Sequence, residues 1–453
     1  MSARLLTIGV ALSAALATST AFADEDVWFQ PGKYDGRTVN IVVNASQLQP
    51  PFAPILQELK DSFEKASGAK VVYNPLPEND LYKKVRLSIV GKTGAYDGMF
   101  TGAGGAKDFG LSGQIVPVPA APDIADFFPG DVSQYSIGDK LYGAPLSSDT
   151  NILYWRKDLF EKAGLDPNTP PATYQEMQDW AVKLTTDKNG KHPGEEGFDV
   201  NNIDIYGLAF KGSKKLASTW EWYNYLFAFG GNVFDDKFNV VVNSPEAVAS
   251  LAWLTENFRD KHVYPSDTLS FDYPEFNALF LQGRVAMAIN WPFMYQLAQD
   301  PAQSKVVGLV NVGRKPAAKT HAGNIGGWSY NVLVDAPNQD VALDFAKWVQ
   351  RKATAEQVAA AGIVPTRISV LDSVVGSKGD PWPAIAANLP DGQMVLPLAT
   401  GDSWMPIEEV LQIAIQESLL GQKTPQQALD GAAASIKEIL DRNGFYTNIL
   451  GQN

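Results

Sequence analysis

The segment from Tyr142 to Leu184 decides the fold: YGAPLSSDTNILYWRKDLFEKAGLDPNTPPATYQEMQDWAVKL. It predicts a short strand, a polar break at 148–151, a second strand, a helix, and a loop that contains two adjacent prolines. Thr173 followed three residues later by Glu176 is the pattern of a capping box, which predicts that a second helix begins here. Two strands followed by two helices indicate an α/β protein rather than an all-β or all-α one.

The same alternation continues along the rest of the chain and predicts an α/β fold built on parallel strands. The apolar run at 38–44 is typical of a buried parallel strand, and a glycine-rich loop is expected at 102–105. Further strands are predicted at 70–73, 96–100, 205–210, 285–289 and 331–334. Helices are predicted at 53–67, 81–90, 217–229, 245–258, 273–282, 339–351, 408–420 and 424–443.

The N-terminus has the three parts of a secretory signal. Arg4 supplies the positive charge, residues 5–16 form an apolar run, and Ala21-Phe22-Ala23 is a small-residue cleavage site. The run is shorter than the roughly 20 residues that span a bilayer, which disfavours a membrane anchor. We therefore expect a signal peptide at 1–23 and, in a bacterial context, a periplasmic protein.

Composition limits the remaining possibilities. A chain of 453 residues exceeds the size at which one hydrophobic core keeps growing, so two domains are expected. The absence of cysteine excludes disulfides and thiol-based metal or catalytic sites. The net charge of −13 disfavours nucleic acid and anionic lipid as partners. Aromatic residues make up 11%, including 11 tryptophans, which suits a core and also suits sugar binding.

Four blocks in order resemble one protein family. They are the segment 142–184, FLQGRVAMAINW at 280–291, the stretch from Gly326-Gly327-Trp328 through Trp348 to Arg367, and the stretch from Trp404 to Leu429. Together with the signal peptide, they resemble the extracellular solute-binding proteins of family 1. These are the sugar-binding proteins of ABC importers, of the maltose-binding type.

The resemblance implies a clamshell of two α/β lobes with parallel or mixed sheets and a ligand cleft between them. The chain would cross between lobes near 148–151, 322–325 and 365–368. Lobe 1 would comprise 24–148 plus 325–366, and lobe 2 would comprise 149–324 plus 367–453. The implied function is to capture a carbohydrate and deliver it to the ABC permease in the inner membrane. The implied protein is a monomer without catalytic residues, cofactor or metal.

A sugar cleft needs aromatic rings for the C–H face of the ligand and planar polar groups for its hydroxyls. These pairings occur at loop ends and at the expected crossings, although each side chain also fits an ordinary structural role. Candidates from the second half are Trp220, Glu221, Trp222, Trp291, Gly327, Trp328 and Trp404. Candidates at the crossings are Asp149, Asn151 and Arg367, and those after the first three strands are Ser46, Gln47, Glu78, Gly104 and Asp108.

The main alternative is a secreted glycosidase, which would share the signal peptide, the tryptophans and the carboxylates. No phosphate-binding loop, dinucleotide fingerprint or nucleophile elbow is complete in the sequence. Lysine and arginine are sparse around the aromatic candidates, which favours a neutral sugar or polyol. Arg367 and Lys107 leave an anionic derivative open, and the identity and size of the sugar stay open too. A structural ion at the polar loop 187–196 also stays open.

Overall fold

A computed structural model describes residues 32–393 and 403–449. Its strands form two large sheets and one two-stranded ribbon. The strands are β1 Thr38–Asn44, β2 Lys70–Leu76, β3 Gly98–Gly102, β4 Ile115–Val116, β5 Ser136–Ile137, β6 Lys140–Leu141, β7 Ala144–Thr150, β8 Ile152–Arg156, β9 Thr186–Asp187, β10 Ile203–Leu208, β11 Val285–Asn290, β12 Val310–Gly313, β13 Gly323–Leu333 and β14 Gly392–Gln393.

Helices cover the sheets, and none within 32–393 or 403–449 is long and apolar enough to cross a membrane. They are α1 Ala53–Ser67, α2 Glu78–Val90, α3 Ala103–Leu111, α4 Pro129–Gln134, α5 Lys157–Lys162, α6 Tyr174–Leu184, α7 Leu216–Ala228, α8 Pro245–Arg259, α9 Tyr273–Leu281, α10 Phe293–Gln299, α11 Gln339–Val349, α12 Lys352–Ala360, α13 Ile368–Ser377, α14 Trp382–Asn388, α15 Trp404–Leu419 and α16 Pro425–Arg442.

The first sheet has seven strands in the order β14-β13-β3-β1-β2, with β4 and β7 also paired to β13. β1 pairs in parallel with β2 and β3, whereas β13 runs antiparallel to β3 and β7. The amphipathic helix α1 packs on this sheet because its spacing places Leu56, Leu59 and Phe63 on one buried face. The sheet and its helices enclose one hydrophobic core.

The second sheet has five strands in the order β12-β8-β11-β10-β9 and is buried on both faces. Alternate residues of β8 point to opposite sides: Leu153 and Trp155 enter one core, and Ile152 and Tyr154 enter another. The larger of these two cores is formed with α6, α7, α8, α15 and α16, and the smaller with α9, α13 and α14.

The chain passes between the two sheets at three places. β7 in the first sheet is followed after Asn151 by β8 in the second, and β12 in the second precedes β13 in the first. The third passage follows α12, where the backbone N–H of Ser148 donates to the carbonyl of Val364 at 3.0 Å. Because strands and loops from both sheets converge at these passages, a cleft opens between them.

Most of the predicted elements are confirmed, with boundaries shifted by a few residues. Helix α6 begins as predicted, because the side chain of Thr173 accepts a hydrogen bond from the backbone N–H of Glu176 at 3.1 Å. The glycine-rich loop expected at 102–105 is wrong: helix α3 begins at Ala103, and packing of Ala106 and Phe109 in the core outweighs the low helix propensity of glycine. The strand expected at 331–334 is the end of the longer β13.

Candidate functional site

A cavity of about 370 Å³ lies between the two sheets. Its walls come from both sheets and from the three passages of the chain. The lining residues are Asn44, Ser46, Pro50, Pro51, Phe52, Gly102, Gly104, Asp149, Trp220, Tyr223, Tyr273, Trp291, Pro292, Phe293, Asn324, Ile325, Gly326, Gly327, Trp328, Gly362, Ile363, Val364 and Glu408. We refer to this cavity as the cleft.

The wall on the side of the first sheet begins where β1 ends. Asn44 caps a short 3₁₀ turn: its Oδ1 accepts from the backbone N–H of Ser46 at 3.0 Å and from the Ser46 hydroxyl at 2.9 Å. Gln47 completes the capping box by accepting from the Asn44 backbone N–H at 3.0 Å. Asn44 and Ser46 therefore line the cleft, while the buried Gln47 holds the turn that presents them.

Aromatic rings from two elements close the same wall. Phe52, which follows the two lining prolines, meets Trp328 of β13 edge-to-face with ring centroids 6.3 Å apart. Trp328 is half-buried and pairs across the sheet with Gly102 of β3, which precedes α3. The N-terminus of α3 thus points at the cleft through Gly102 and Gly104, with its first backbone N–H groups unpaired within the helix.

Asp149 lies on the cleft floor, where β7 pairs with β13. It sits opposite Gly326, and its Oδ1 accepts from the backbone N–H of Thr150 at 3.0 Å. Within the described residues, Oδ2 of this half-buried carboxyl accepts no hydrogen bond from the protein. Burial raises the pKa of Asp149, and the charge of nearby Asp131 raises it further.

Two glycines on β13 let neighbouring groups pack closely against the strand at the cleft floor. A Cβ on Gly326 would lie 3.1 Å from the ring of Trp291, so the missing side chain lets the ring sit against the strand. Gly327 has φ +134, and a Cβ there would lie 2.3 Å from the Ser147 carbonyl oxygen. Only glycine accommodates this conformation and this approach without strain.

The wall on the side of the second sheet is aromatic. Trp291 follows β11 directly, and its indole N–H donates to the hydroxyl of Tyr273 at 2.7 Å. Its carbonyl accepts from the buried hydroxyl of Tyr154 at 2.8 Å. The ring of Tyr273 meets Phe293 edge-to-face at 6.3 Å. The hydrogen bonds at both ends of Trp291 fix its orientation in the cleft.

Glu408 is a buried carboxyl at the cleft edge that accepts three side-chain hydrogen bonds. Its donors are the hydroxyl of Thr219, the hydroxyl of Tyr223 at 2.9 Å and the indole N–H of Trp404 at 3.1 Å. Burial raises the pKa of Glu408 to about 7, although the three donors act in the opposite direction. Predicted Trp404 does not line the cleft but holds this carboxyl and packs on Tyr82.

A polar network ties the cleft to two passages of the chain. The backbone N–H of Asn324 donates to Oδ1 of Asn224 at 3.1 Å, and Nδ2 of Asn224 donates to Oδ1 of Asn151 at 3.3 Å. The carbonyl of Asn151 accepts from the buried ammonium of Lys315 at 2.6 Å. Burial lowers the pKa of Lys315 to about 7. Asn151, predicted as a ligand contact, lies behind the cleft surface in this network.

Seven of the predicted site residues line the cleft: Ser46, Gly104, Asp149, Trp220, Trp291, Gly327 and Trp328. Trp222 does not, because it is fully buried in the larger core of the second sheet. Glu221 does not either, because it is buried 2.8 Å from the ammonium of Lys211. Burial lowers the pKa of Lys211 and raises that of Glu221.

Arg367 and Asp108 also lie away from the cleft lining. The buried guanidinium of Arg367 is paired with Asp123 and with Asp126 at 3.2 Å, and it stacks over the ring of Phe127. Asp108 is buried against Arg86, and burial raises its pKa to about 7. Glu78 begins α2, but its side chain lies outside the described residues.

Sequence reasoning missed several lining residues, most of which have a signal in retrospect. Phe52 and its prolines follow β1, where other first-sheet candidates were placed. Phe293 is two residues from Trp291, and Asn324 is two residues from Gly326. Tyr223 directly follows the candidate Trp222, whereas Tyr273 has no candidate nearby in the sequence and is brought to the cleft by the packing of α9.

The chain is similar to known proteins over most of its length. The model of the bacterial extracellular solute-binding protein family matches residues 45–356. A probable amino-acid ABC transporter periplasmic-binding protein of Sinorhizobium fredii is 25% identical over 98% of this chain and 99% of its own.

Two solved structures are similar over most of both chains. An ABC transporter solute-binding protein from Thermotoga lettingae, bound with α-D-tagatose, is 25% identical with a TM-score of 0.75, covering 89% of this chain and 100% of its own. A solute-binding protein from Agrobacterium radiobacter, in complex with ribitol, is 26% identical with a TM-score of 0.74. The similarity covers 90% of this chain and 99% of its own.

These matches define the class of protein: a two-lobe solute-binding protein with mixed α/β lobes, as predicted. The chain belongs to the bacterial extracellular solute-binding protein family, whose model covers more than half of its length. Family and structural neighbours are substrate-binding proteins, and the family name indicates a periplasmic or extracellular location.

Proposed function

We propose that this protein is the substrate-binding component of an ABC importer and captures a sugar or polyol in the cleft. One observation carries the proposal: several aromatic rings and the carboxyl of Asp149, whose Oδ2 accepts no hydrogen bond from the described residues, line a single cavity between the two sheets. Similar structures with bound tagatose and ribitol support this ligand class.

The cleft has the two kinds of surface that a carbohydrate needs. Rings such as Trp291 and Trp328 offer flat apolar faces to C–H groups, and Asp149 offers an acceptor to hydroxyls. The cavity of about 370 Å³ falls within the range of about 300–1,000 Å³ found for small-molecule sites. Asn44 and Asn324 add amide groups to the lining.

Binding without catalysis is the role that the carboxyls favour. Glu408 already accepts hydrogen bonds from Thr219, Tyr223 and Trp404, so its oxygens are occupied by the protein. A glycosidase would need a second free carboxyl to act with Asp149. We therefore propose a binding protein and not an enzyme, with no cofactor or metal. No cluster of three or more metal-ligating side chains occurs in the described part of the chain.

Export and delivery complete the proposal. The signal at 1–23 is cleaved, and the mature monomer works in the periplasm. Lobe 1 comprises 24–148 plus 325–366, and lobe 2 comprises 149–324 plus 367–453. Ligand binding favours a closed arrangement of the lobes about the passages near 148–151, 322–325 and 365–368, and the closed form docks on the permease in the inner membrane.

Thermal unfolding of the mature protein with a panel of D-tagatose, ribitol, D-mannitol and maltose tests the proposal. A ligand at 100 times its Kd stabilises the folded state by about 2.7 kcal/mol, so at least one compound should raise Tm. Trp328→Ala should abolish the rise. Trp180→Ala is the control, because this equally half-buried tryptophan lies outside the cleft.

Two results would contradict the proposal. If no sugar or polyol raises Tm, the carbohydrate assignment fails. If chromatography of the incubated ligand shows a product that accumulates with time, the protein is an enzyme, and the glycosidase alternative replaces the binding role.

A further inference from the structure

Within residues 32–393 and 403–449, the carboxyls of Asp149 and Glu408 line the cleft, and no lysine, arginine or histidine does. The segments outside these ranges supply no basic side chain to the mature chain. Residues 394–402 and 450–453 contain no lysine, arginine or histidine, and 1–31 contain only Arg4, which lies in the signal peptide. A ligand in the cleft therefore meets no positively charged side chain from the mature chain.

The nearest buried cations have other partners. Lys211 lies 2.8 Å from Glu221, and Lys315 donates to the Asn151 carbonyl at 2.6 Å. Arg367 is held by Asp123 and Asp126. If one of these cations turned toward a ligand, its present partner would be left without a hydrogen bond or ion pair. The free-energy cost of that loss exceeds the gain from a new contact with the ligand.

The donors that remain are neutral. They are the backbone N–H groups at the start of α3, next to Gly102 and Gly104, and the side-chain amide of Asn44. The acceptor is Oδ2 of Asp149, on the floor. A hydroxyl both donates and accepts, so a ligand with several hydroxyls can satisfy both sets at once. A phosphate or carboxylate can satisfy the donors only, and its charge would enter a partly buried cleft in which no basic side chain pairs with it.

We propose that the cleft selects uncharged polyhydroxy ligands and rejects their phosphorylated and carboxylated counterparts, with Asp149 as the residue that determines this specificity. The inference rests on the proposed function and narrows it to uncharged sugars and polyols. The C–H face of such a ligand packs on Trp291, and one hydroxyl donates to Oδ2 of Asp149. The absence of a side chain on Gly326 brings the ring and the carboxyl to the same floor.

The experiment is isothermal titration of the mature protein with two matched sets at 150 mM salt. One set is D-mannitol, D-mannitol 1-phosphate and D-mannonate, and the other is ribitol and ribitol 5-phosphate. We expect a polyol to bind at least tenfold more tightly than its charged counterpart. At this salt concentration, charges beyond about 8 Å are screened, so the preference reports groups in the cleft and not the overall net charge.

Asp149→Asn should weaken polyol binding about tenfold, because the one amide oxygen is taken by the Thr150 N–H and an NH2 group then stands where Oδ2 accepts the ligand hydroxyl. It should also reduce the ratio of the affinity for the polyol to the affinity for its phosphate. Asp139→Asn is the matched control: it makes the same substitution in an exposed turn outside the cleft and should leave both affinities unchanged. Equal unfolding midpoints of Asp149→Asn and the parent would show that the loss is not a folding defect.

The outcomes separate this inference from the proposed function. If a phosphate or acid binds as tightly as its polyol, or more tightly, the selection for uncharged ligands is wrong while carbohydrate binding stands. If Asp149→Asn leaves the preference unchanged, Asp149 is not its source and the inference is also wrong. If no compound of either set binds, and no sugar of the thermal panel does, the proposed function itself fails.

Discussion

The buried carboxyl of Glu408 should make the stability of the protein depend on pH in a predictable direction. Burial raises its pKa from an ordinary 4.5 to about 7, so between these values the folded state holds a proton that the unfolded state has released. Stability from this group is therefore complete below about pH 4.5 and is lost as the pH rises to about 7. At 1.4 kcal/mol per pKa unit, the loss is about 3 kcal/mol.

The substitution Glu408→Gln removes this dependence while keeping the size of the side chain. Near pH 5 the two proteins should be similar in stability, or the parent more stable. Toward pH 8 the variant should gain up to about 3 kcal/mol relative to the parent. Urea unfolding followed by tryptophan fluorescence at several pH values between 4.5 and 8.5, without ligand, measures this difference.

Glu409→Gln is the matched control, because this neighbour on α15 is exposed. Its stability difference from the parent should not change with pH. A difference between parent and Glu408→Gln that is independent of pH would refute the reasoning. If the parent became more stable relative to Glu408→Gln as the pH rises, the reasoning would be refuted more strongly. The donors Thr219, Tyr223 and Trp404 would then lower the pKa of Glu408 by more than burial raises it.

Three other substitutions test the cleft and its supports. Gly326→Val should weaken ligand binding at least tenfold in calorimetry, because a Cβ already lies 3.1 Å from the Trp291 ring and the added methyls displace it. Lys315→Met should be most favourable relative to the parent near pH 6 in urea unfolding. Its advantage should shrink by about 4 kcal/mol toward pH 10, because burial lowers the lysine pKa from 10.5 to about 7 and the folded parent gains stability as the pH rises through this window. Arg367→Ala should cost about 2–3 kcal/mol of unfolding free energy and leave the ligand Kd unchanged, because the guanidinium holds Asp123 and Asp126 outside the cleft.

For each of these three substitutions, one result would contradict the prediction, and the first also has a control variant. Gly376→Val controls for the first, because a Cβ at Gly376 meets no atom within 4 Å; equal affinity in both variants would show that Gly326 does not position the ring. A Lys315→Met difference that is flat from pH 6 to 10 would show that the amine stays charged when buried. A large rise in the ligand Kd of Arg367→Ala would show that Arg367 contributes to ligand binding, as the sequence predicted.

The alternation of strands and helices could be predicted from the sequence, and so could the position of Trp291 at the end of a strand. The position of Asp149 at a passage between the sheets could be predicted too. The sequence misled at Trp220-Glu221-Trp222, which was treated as one cluster. Residues one and two apart on a helix do not share a face, so Trp220 lines the cleft while Glu221 and Trp222 are buried.

Long-range packing explains the rest. The partners of Arg367 are 241 and 244 positions away, and the donors to Glu408 on α7 are 185 and 189 positions away. Neither separation has a local pattern that a single sequence reveals. Gly104 and Gly105, which were expected in a loop, are helical for the same reason: contacts of α3 with the sheet decide its conformation, and propensity is a weaker influence.

The central claim is that an uncharged polyhydroxy ligand binds in the cleft between Asp149 and Trp291. A crystal structure of the mature protein with the polyol or sugar that raises Tm most tests it directly. We expect a ligand hydroxyl within hydrogen-bonding distance of Oδ2 of Asp149 and the ligand C–H face against the ring of Trp291. Ligand bound elsewhere, with the cleft free of it, would contradict the account.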